Sequence, residues 1–128
     1  MDMVRRVMSH FREMADNGAG VLLITHDLEQ ALEVADRVVV FYAGTTVEAA
    51  HVKDFEKEEN LRHPYSKALW RALPQNGFQF IQGVQPYVKD LPEGCPFGPR
   101  CEKCTEECRG VIPYREVRGG RVRCVHAE

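Results

Sequence analysis

The sequence predicts an α/β protein: a partial parallel sheet with flanking helices over residues 1–74, a linker over 75–94, and a small irregular cysteine-rich tail with a hairpin over 95–128. Three observations carry that reading. Apolar residues recur at helical spacing near the start. Two short continuous apolar runs follow, one on each side of a second helical pattern, as a strand-helix-strand unit requires. All five cysteines fall in the last third.

In chain order, Val4, Val7, Met8, Phe11, Met14 and Ala15 share one face of a helix, and Asn17-Gly18 supplies a left-handed stop. Val21-Leu22-Leu23-Ile24-Thr25 reads as a strand buried on both faces. His26 falls at its carboxyl end, where open α/β sheets bind ligands, and is therefore a candidate site residue. Asp27 is an N-cap for a helix that turns Leu28, Ala31, Leu32 and Ala35 inward. Val38-Val39-Val40-Phe41-Tyr42 forms the second buried strand, joined to the first by a right-handed crossover. Ala43-Gly44-Thr45 turns into an antiparallel edge strand, Thr46-Val47-Glu48-Ala49.

Val52 to Glu59 reads as a charged surface helix, with Glu56-Lys57-Glu58-Glu59 as its solvated face. His63 precedes Pro64 at a first helical position, and that helix runs through Lys67, Leu69, Trp70 and Leu73 to Pro74. Leu69 and Trp70 are packing residues, while His10 and His51 fall on surface elements. Gly77, Gly83, Pro86 and Pro92 then break any period. In the tail, Tyr114 to Arg118 and Val122 to Val125 flank Gly119-Gly120 as a hairpin, which returns Cys124 toward Cys95 to Cys108.

Charge is unevenly placed. The whole chain carries −2, but residues 95–128 hold seven Lys/Arg against five Asp/Glu, leaving −4 for residues 1–94. Arg100, Lys103, Arg109 and Arg123 fall among the thiols in sequence; they could offset the negative charge of thiolates, a nucleic-acid patch would use the same residue types, and an ordinary solvated surface explains them at least as well. The net negative charge and the absence of a basic-aromatic stacking pattern argue against nucleic-acid binding. No apolar run approaches the roughly 20 residues that span a bilayer. Met1 to Arg6 lead into a charged stretch without the apolar core of a signal peptide, which predicts a reducing cytosol and free thiols.

The thiol spacing is Cys95-x5-Cys101-x2-Cys104-x3-Cys108-x15-Cys124. An odd count leaves one thiol over in any complete disulfide scheme, whereas a four-thiolate metal site leaves one spare without penalty. On a straight helix Cys101 and Cys108 would lie about 10 Å apart along the axis, at about 1.5 Å per residue. That is too far for one tetrahedral ion, so zinc favours Cys101 and Cys104, with Cys95 or Cys108 and Cys124. An iron-sulfur cube is larger and tolerates wider spacing. His126, two residues after Cys124, is a further ligand candidate, although a surface role suits it better.

Leu22-Leu23-Ile24-Thr25-His26-Asp27-Leu28, followed by Ala35-Asp36-Arg37 and Val38 to Gly44, resembles the switch-histidine region of ABC transporter ATPases. His63-Pro64-Tyr65-Ser66-Lys67-Ala68-Leu69 and Leu91-Pro92-Glu93-Gly94-Cys95-Pro96-Phe97-Gly98-Pro99-Arg100-Cys101 look like the tail of the oligopeptide/dipeptide/nickel importer ATPases. The resemblance runs from about Val21 to the end. It implies a P-loop NTPase-like cassette, with His26 as the switch histidine beside the γ-phosphate. It also implies a 4Fe-4S cluster on Cys95, Cys101, Cys108 and Cys124, with Cys104 spare; the zinc alternative would use Cys95, Cys101, Cys104 and Cys124. The implied partners are the missing N-terminal half of the cassette, a second ATP-binding subunit and a membrane permease for peptides or nickel. The implied place is cytoplasmic, peripheral to the inner face of the membrane. Asp2 would be a remnant of the loop after the family's magnesium-holding acidic pair.

The chain departs from the family pattern as well. No G-x-x-x-x-G-K-[ST] loop, Ser-Gly-Gly signature or Asp-Glu pair for magnesium occurs, so ATP and magnesium would be held only with the missing part. The chain alone is expected to be inactive, because most charge compensation for a triphosphate is lacking. A second expectation, from a different class, is a free-standing zinc or Fe-S binding module with a structural or regulatory role and no nucleotide chemistry.

Overall fold

The computed structural model describes residues 3–128; Met1 and Asp2, and with them the expectation attached to Asp2, lie outside the described residues. Helix α1 (Met3–Asp16) ends where Gly18, at φ 99°, lets Ala19 N–H reach the Met14 carbonyl and its own N–H reach Ala15, a Schellman stop. Helix α2 (Leu28–Val34) starts as expected, with Asp27 Oδ1 accepting from Gln30 N–H at 3.2 Å. Leu28 and Leu32 pack on the core, whereas α1 buries no residue fully. Arg12 ties the two helices, donating to the Val34 carbonyl and to Asp36.

The sheet corrects the sequence reading in four ways. Strands β1 (Arg37–Tyr42), β2 (Thr45–His51), β3 (Arg115–Val117) and β4 (Gly120–Val122) stand in the order β1-β2-β4-β3, and every pairing is antiparallel. The expected parallel sheet is absent among the described residues. Residues 21–25 form no strand, and Leu22 and Ile24 are 87% and 88% exposed. A parallel strand needs a neighbour running alongside it. β1 instead turns straight back through Ala43 and Gly44, both at positive φ, into β2, so its ladder closes locally. β1 is also covered on one face only, since Val40 and Tyr42 are buried while Val39 and Phe41 are exposed. Finally, β2 is an interior strand, because β4 of the tail hairpin docks on its other side with Glu48 opposite Val122.

The core gathers Val40, Tyr42, Val47, Ala50, Phe55, Leu61 and Phe97. The expected surface helix over 52–59 is instead two 3-10 turns, Val52–Glu56 and Glu58–Asn60, the first of which turns Phe55 inward. Trp70 packs against this core and donates its indole N–H to the Phe55 carbonyl at 2.8 Å. Helix α3 (Pro64–Ala72) begins on His63, whose Nδ1 accepts from Tyr65 N–H at 3.0 Å. Residues 77–94 are irregular apart from a 3-10 turn at Val88–Asp90. The tail hairpin turns on Arg118 and Gly119, both at positive φ, one residue earlier than the glycine pair suggested.

Candidate functional site

His26 is exposed beside a shallow recess of about 540 Å³ that Asp27, Leu69 and Leu73 also line. It follows an irregular segment, so the strand expected to present it is not formed. Thr25 Oγ1 accepts from Asp27 N–H at 3.0 Å and holds the bend around it.

The thiols occupy a second place, built by three short segments. Gly94, at φ 80°, brings the chain so close to Cys108 that a Cβ there would strike the Cys108 carbonyl and Arg109. Cys95 N–H donates to that same carbonyl at 2.8 Å, which joins the first thiol loop to the third. Cys101 to Cys104 is a turn, and Glu106–Arg109 is a 3-10 turn, so the stretch is irregular where a straight helix would have spread the sulfurs along its axis. β4 then delivers Cys124, which is buried with Val122 and Ala127.

Burial pushes the Cys95, Cys101 and Cys124 thiols up from their ordinary value, and neighbouring thiols add to it. Cys95 feels Cys124 and Cys108, Cys101 feels Cys124, Cys104 and Cys108, and Cys124 feels Cys108. The hairpin has therefore returned Cys124 to the others. Backbone N–H groups oppose the shift: those of Phe97 and Gly98 face Cys95, that of Lys103 faces Cys101, and those of His126 and Ala127 face Cys124. Sulfurs that repel one another as thiolates yet carry pre-aimed N–H donors fit a group bound by thiolates and completed by its own positive charge. Among the described residues, no three His, Cys, Asp or Glu side chains stand in the arrangement of a single-ion site.

Cys101 and Cys124 open on a cleft of about 850 Å³, which Arg100, Lys103, Lys67 and His126 also line. Thr105 Oγ1 lies 2.8 Å from His126 Nε2 and 3.9 Å from Cys108 Sγ, so His126 faces the thiol loops through a hydroxyl. Arg100 fastens the region to the sheet. It donates to the Gln82 carbonyl and to the Tyr42 hydroxyl, and its guanidinium covers the Tyr42 and Phe97 rings at 5.8 and 6.0 Å.

Sequence reasoning missed the polar lock beneath this site. Glu48 and Arg62 form a fully buried ion pair at 3.0 Å. The Glu48 carboxylate also accepts from Arg62 N–H and His63 N–H, while Arg62 donates to Asp54 and to the Val117 and Arg118 carbonyls. No local pattern marks a pair fourteen residues apart that is completed by carbonyls of the tail hairpin.

With sheet and thiol loops in place, the chain can be set beside known proteins. Residues 47–108 match the family described as oligopeptide/dipeptide transporter, C-terminal region. The chain is similar to proteins named as peptide-import ATP-binding proteins. It is 43% identical over 110 residues to the dipeptide transport ATP-binding protein DppD of Haemophilus influenzae, covering 81% of this chain and 33% of that one. To the oligopeptide transport ATP-binding protein OppD of Escherichia coli it is 37% identical over 108 residues, covering 80% and 32%. A putative peptide import ATP-binding protein of Brucella ovis is 36% identical over 124 residues, covering 88% and 34%. The chain thus spans about a third of the length of these relatives. Among the described residues no helix is long and apolar enough to cross a membrane.

Proposed function

We propose that this chain is the C-terminal part of the ATP-binding subunit of a peptide or nickel importer, and that Cys95, Cys101, Cys108 and Cys124 hold a 4Fe-4S cluster. The observation that carries the cluster is the meeting of three separate thiol loops, with backbone N–H groups aimed at Cys95, Cys101 and Cys124. Such a cluster supplies a rigid cross-link and one-electron redox chemistry when bound. The chain's own residues hold the loops together, bury most of Cys108 and Cys124, and fasten the tail to β2. His26 is the switch histidine of a completed cassette, contacting the γ-phosphate only there. Partners are the N-terminal part of the cassette, a second ATP-binding subunit and a permease, at the cytoplasmic face of the membrane. Alone, the chain hydrolyses no ATP, for want of a phosphate loop.

Anaerobic purification with iron and acid-labile sulfide analysis tests the cluster. About four of each per chain, with visible absorption bleached by dithionite, is the expected result. One zinc and no colour would replace the cluster by a structural ion on Cys95, Cys101, Cys104 and Cys124.

A further inference from the structure

Cys104 is the fifth thiol and the only exposed one. It occupies the end of a tight turn whose start is Cys101: Cys104 N–H faces the Cys101 carbonyl at 3.4 Å, with Glu102 and Lys103 as the turn residues. A turn of this kind brings its end Cα atoms within about 7 Å, and disulfides span about 4.4–6.8 Å. Gly98 lies beside both cysteines: its carbonyl accepts from Cys101 N–H at 3.1 Å, and a Cβ on it would sit 3.4 Å from Cys104 Sγ, which places that sulfur on the Gly98 side of the turn. The charge of a Cys104 thiolate is felt at Cys101.

We propose that Cys101 and Cys104 form a reversible disulfide in the apo-protein under peroxide, which withdraws Cys101 from the other thiols. The Cys104 thiolate attacks hydrogen peroxide, breaking its O–O bond and forming a sulfenic acid with release of hydroxide. The Cys101 thiol then attacks that sulfur; the S–O bond breaks, the S–S bond forms, and the oxygen leaves as water with the Cys101 proton. Two thiols and one peroxide become one disulfide and two waters. The exposed thiol meets the oxidant first, and its half-buried neighbour resolves it before over-oxidation. The pairing itself is independent of the proposed cluster; only its consequence, withdrawal of Cys101 from the ligand set, rests on that reading.

The test oxidises the apo-protein as the whole 128-residue chain with stoichiometric hydrogen peroxide, alkylates residual thiols, and maps bonds after double digestion. Trypsin cuts after Lys103 and a glutamate-specific protease after Glu102 and Glu107, so each cysteine falls on its own peptide. Expected are a loss of two hydrogens per chain, a Cys101–Cys104 linked peptide in most molecules, and no such peptide in Cys104→Ser. Iron and sulfide loading should fall in the oxidised wild type, return with dithiothreitol, and survive peroxide in Cys104→Ser. A Cys104 sulfinic acid without linkage, or a disulfide that joins Cys101 to a different thiol, overturns the proposal. A mapped Cys101–Cys104 bond in a chain that never takes up iron leaves the switch standing and removes the cluster instead.

Discussion

Glu48 and Arg62 are the residues on which the packing most depends. Two opposite charges withdrawn from water stabilise a fold only while each keeps its partners, and here Arg62 also satisfies the Val117 and Arg118 carbonyls. Arg62→Met, which keeps the stem and removes the charge, should cost about 3–5 kcal/mol. Urea denaturation reads it directly, and a loss below about 1 kcal/mol would show that the lock carries little. His63 makes a second case. Burial pushes its pKa down to about 4, against a weaker opposing pull from the Arg123 backbone, and its Nε2 has no hydrogen-bond partner. A histidine with a depressed folded pKa stays neutral in the fold while the unfolded chain takes up a proton. Stability is therefore intact above about pH 6.5 and falls as pH drops toward 4. Between pH 7 and 5 the loss due to His63 should be about 2 kcal/mol. His63→Asn, which retains an acceptor for the α3 cap, should flatten that stretch of the pH profile; an unchanged slope would assign the loss to other groups.

At the scale of elements, local chemistry was legible and pairing was not. Asp27, Pro64 and Gly18 announce helix ends through their own backbone and side-chain preferences, and all three do so in the structure. Strand direction has no such signature. An apolar run such as Val38 to Tyr42 reads the same whether its neighbour runs parallel or antiparallel, and the Ala43-Gly44 turn decided it. The thiol site lies between these limits: the hairpin's return of Cys124 followed from alternation, whereas the Gly94 contact that joins the Cys95 and Cys108 loops depends on tertiary approach. That contact is testable. Gly94→Ala places a methyl group against backbone and adds strain at positive φ, so it should destabilise by about 1–3 kcal/mol and lower iron loading relative to wild type. Wild-type loading and midpoint in this variant would mean that the two loops are joined less tightly than their hydrogen bond implies.

For the molecule as a whole, apolar surface divides into two classes with different energetic weight. Leu61, Val47 and Tyr42 are sealed between β2, the 3-10 turns and the tail, and stabilise the chain in the ordinary way. Leu22 and Ile24 lie on an irregular segment outside the sheet and bury almost nothing, while Val39 and Phe41 on the outer face of β1 stay 50% and 62% exposed. A side chain that gains no burial on folding contributes no transfer free energy, yet remains available for contact with another copy or another chain. The double substitution Leu22→Asp and Ile24→Asp should therefore leave the denaturation midpoint within about 0.5 kcal/mol of wild type. It should also lower self-association, read as the concentration dependence of light scattering. A loss of 2 kcal/mol or more would mean that these residues are packed in solution and that the segment has found a place in the sheet. Unchanged stability with unchanged scattering would shift attention to Val39 and Phe41, another apolar surface that this fold leaves uncovered.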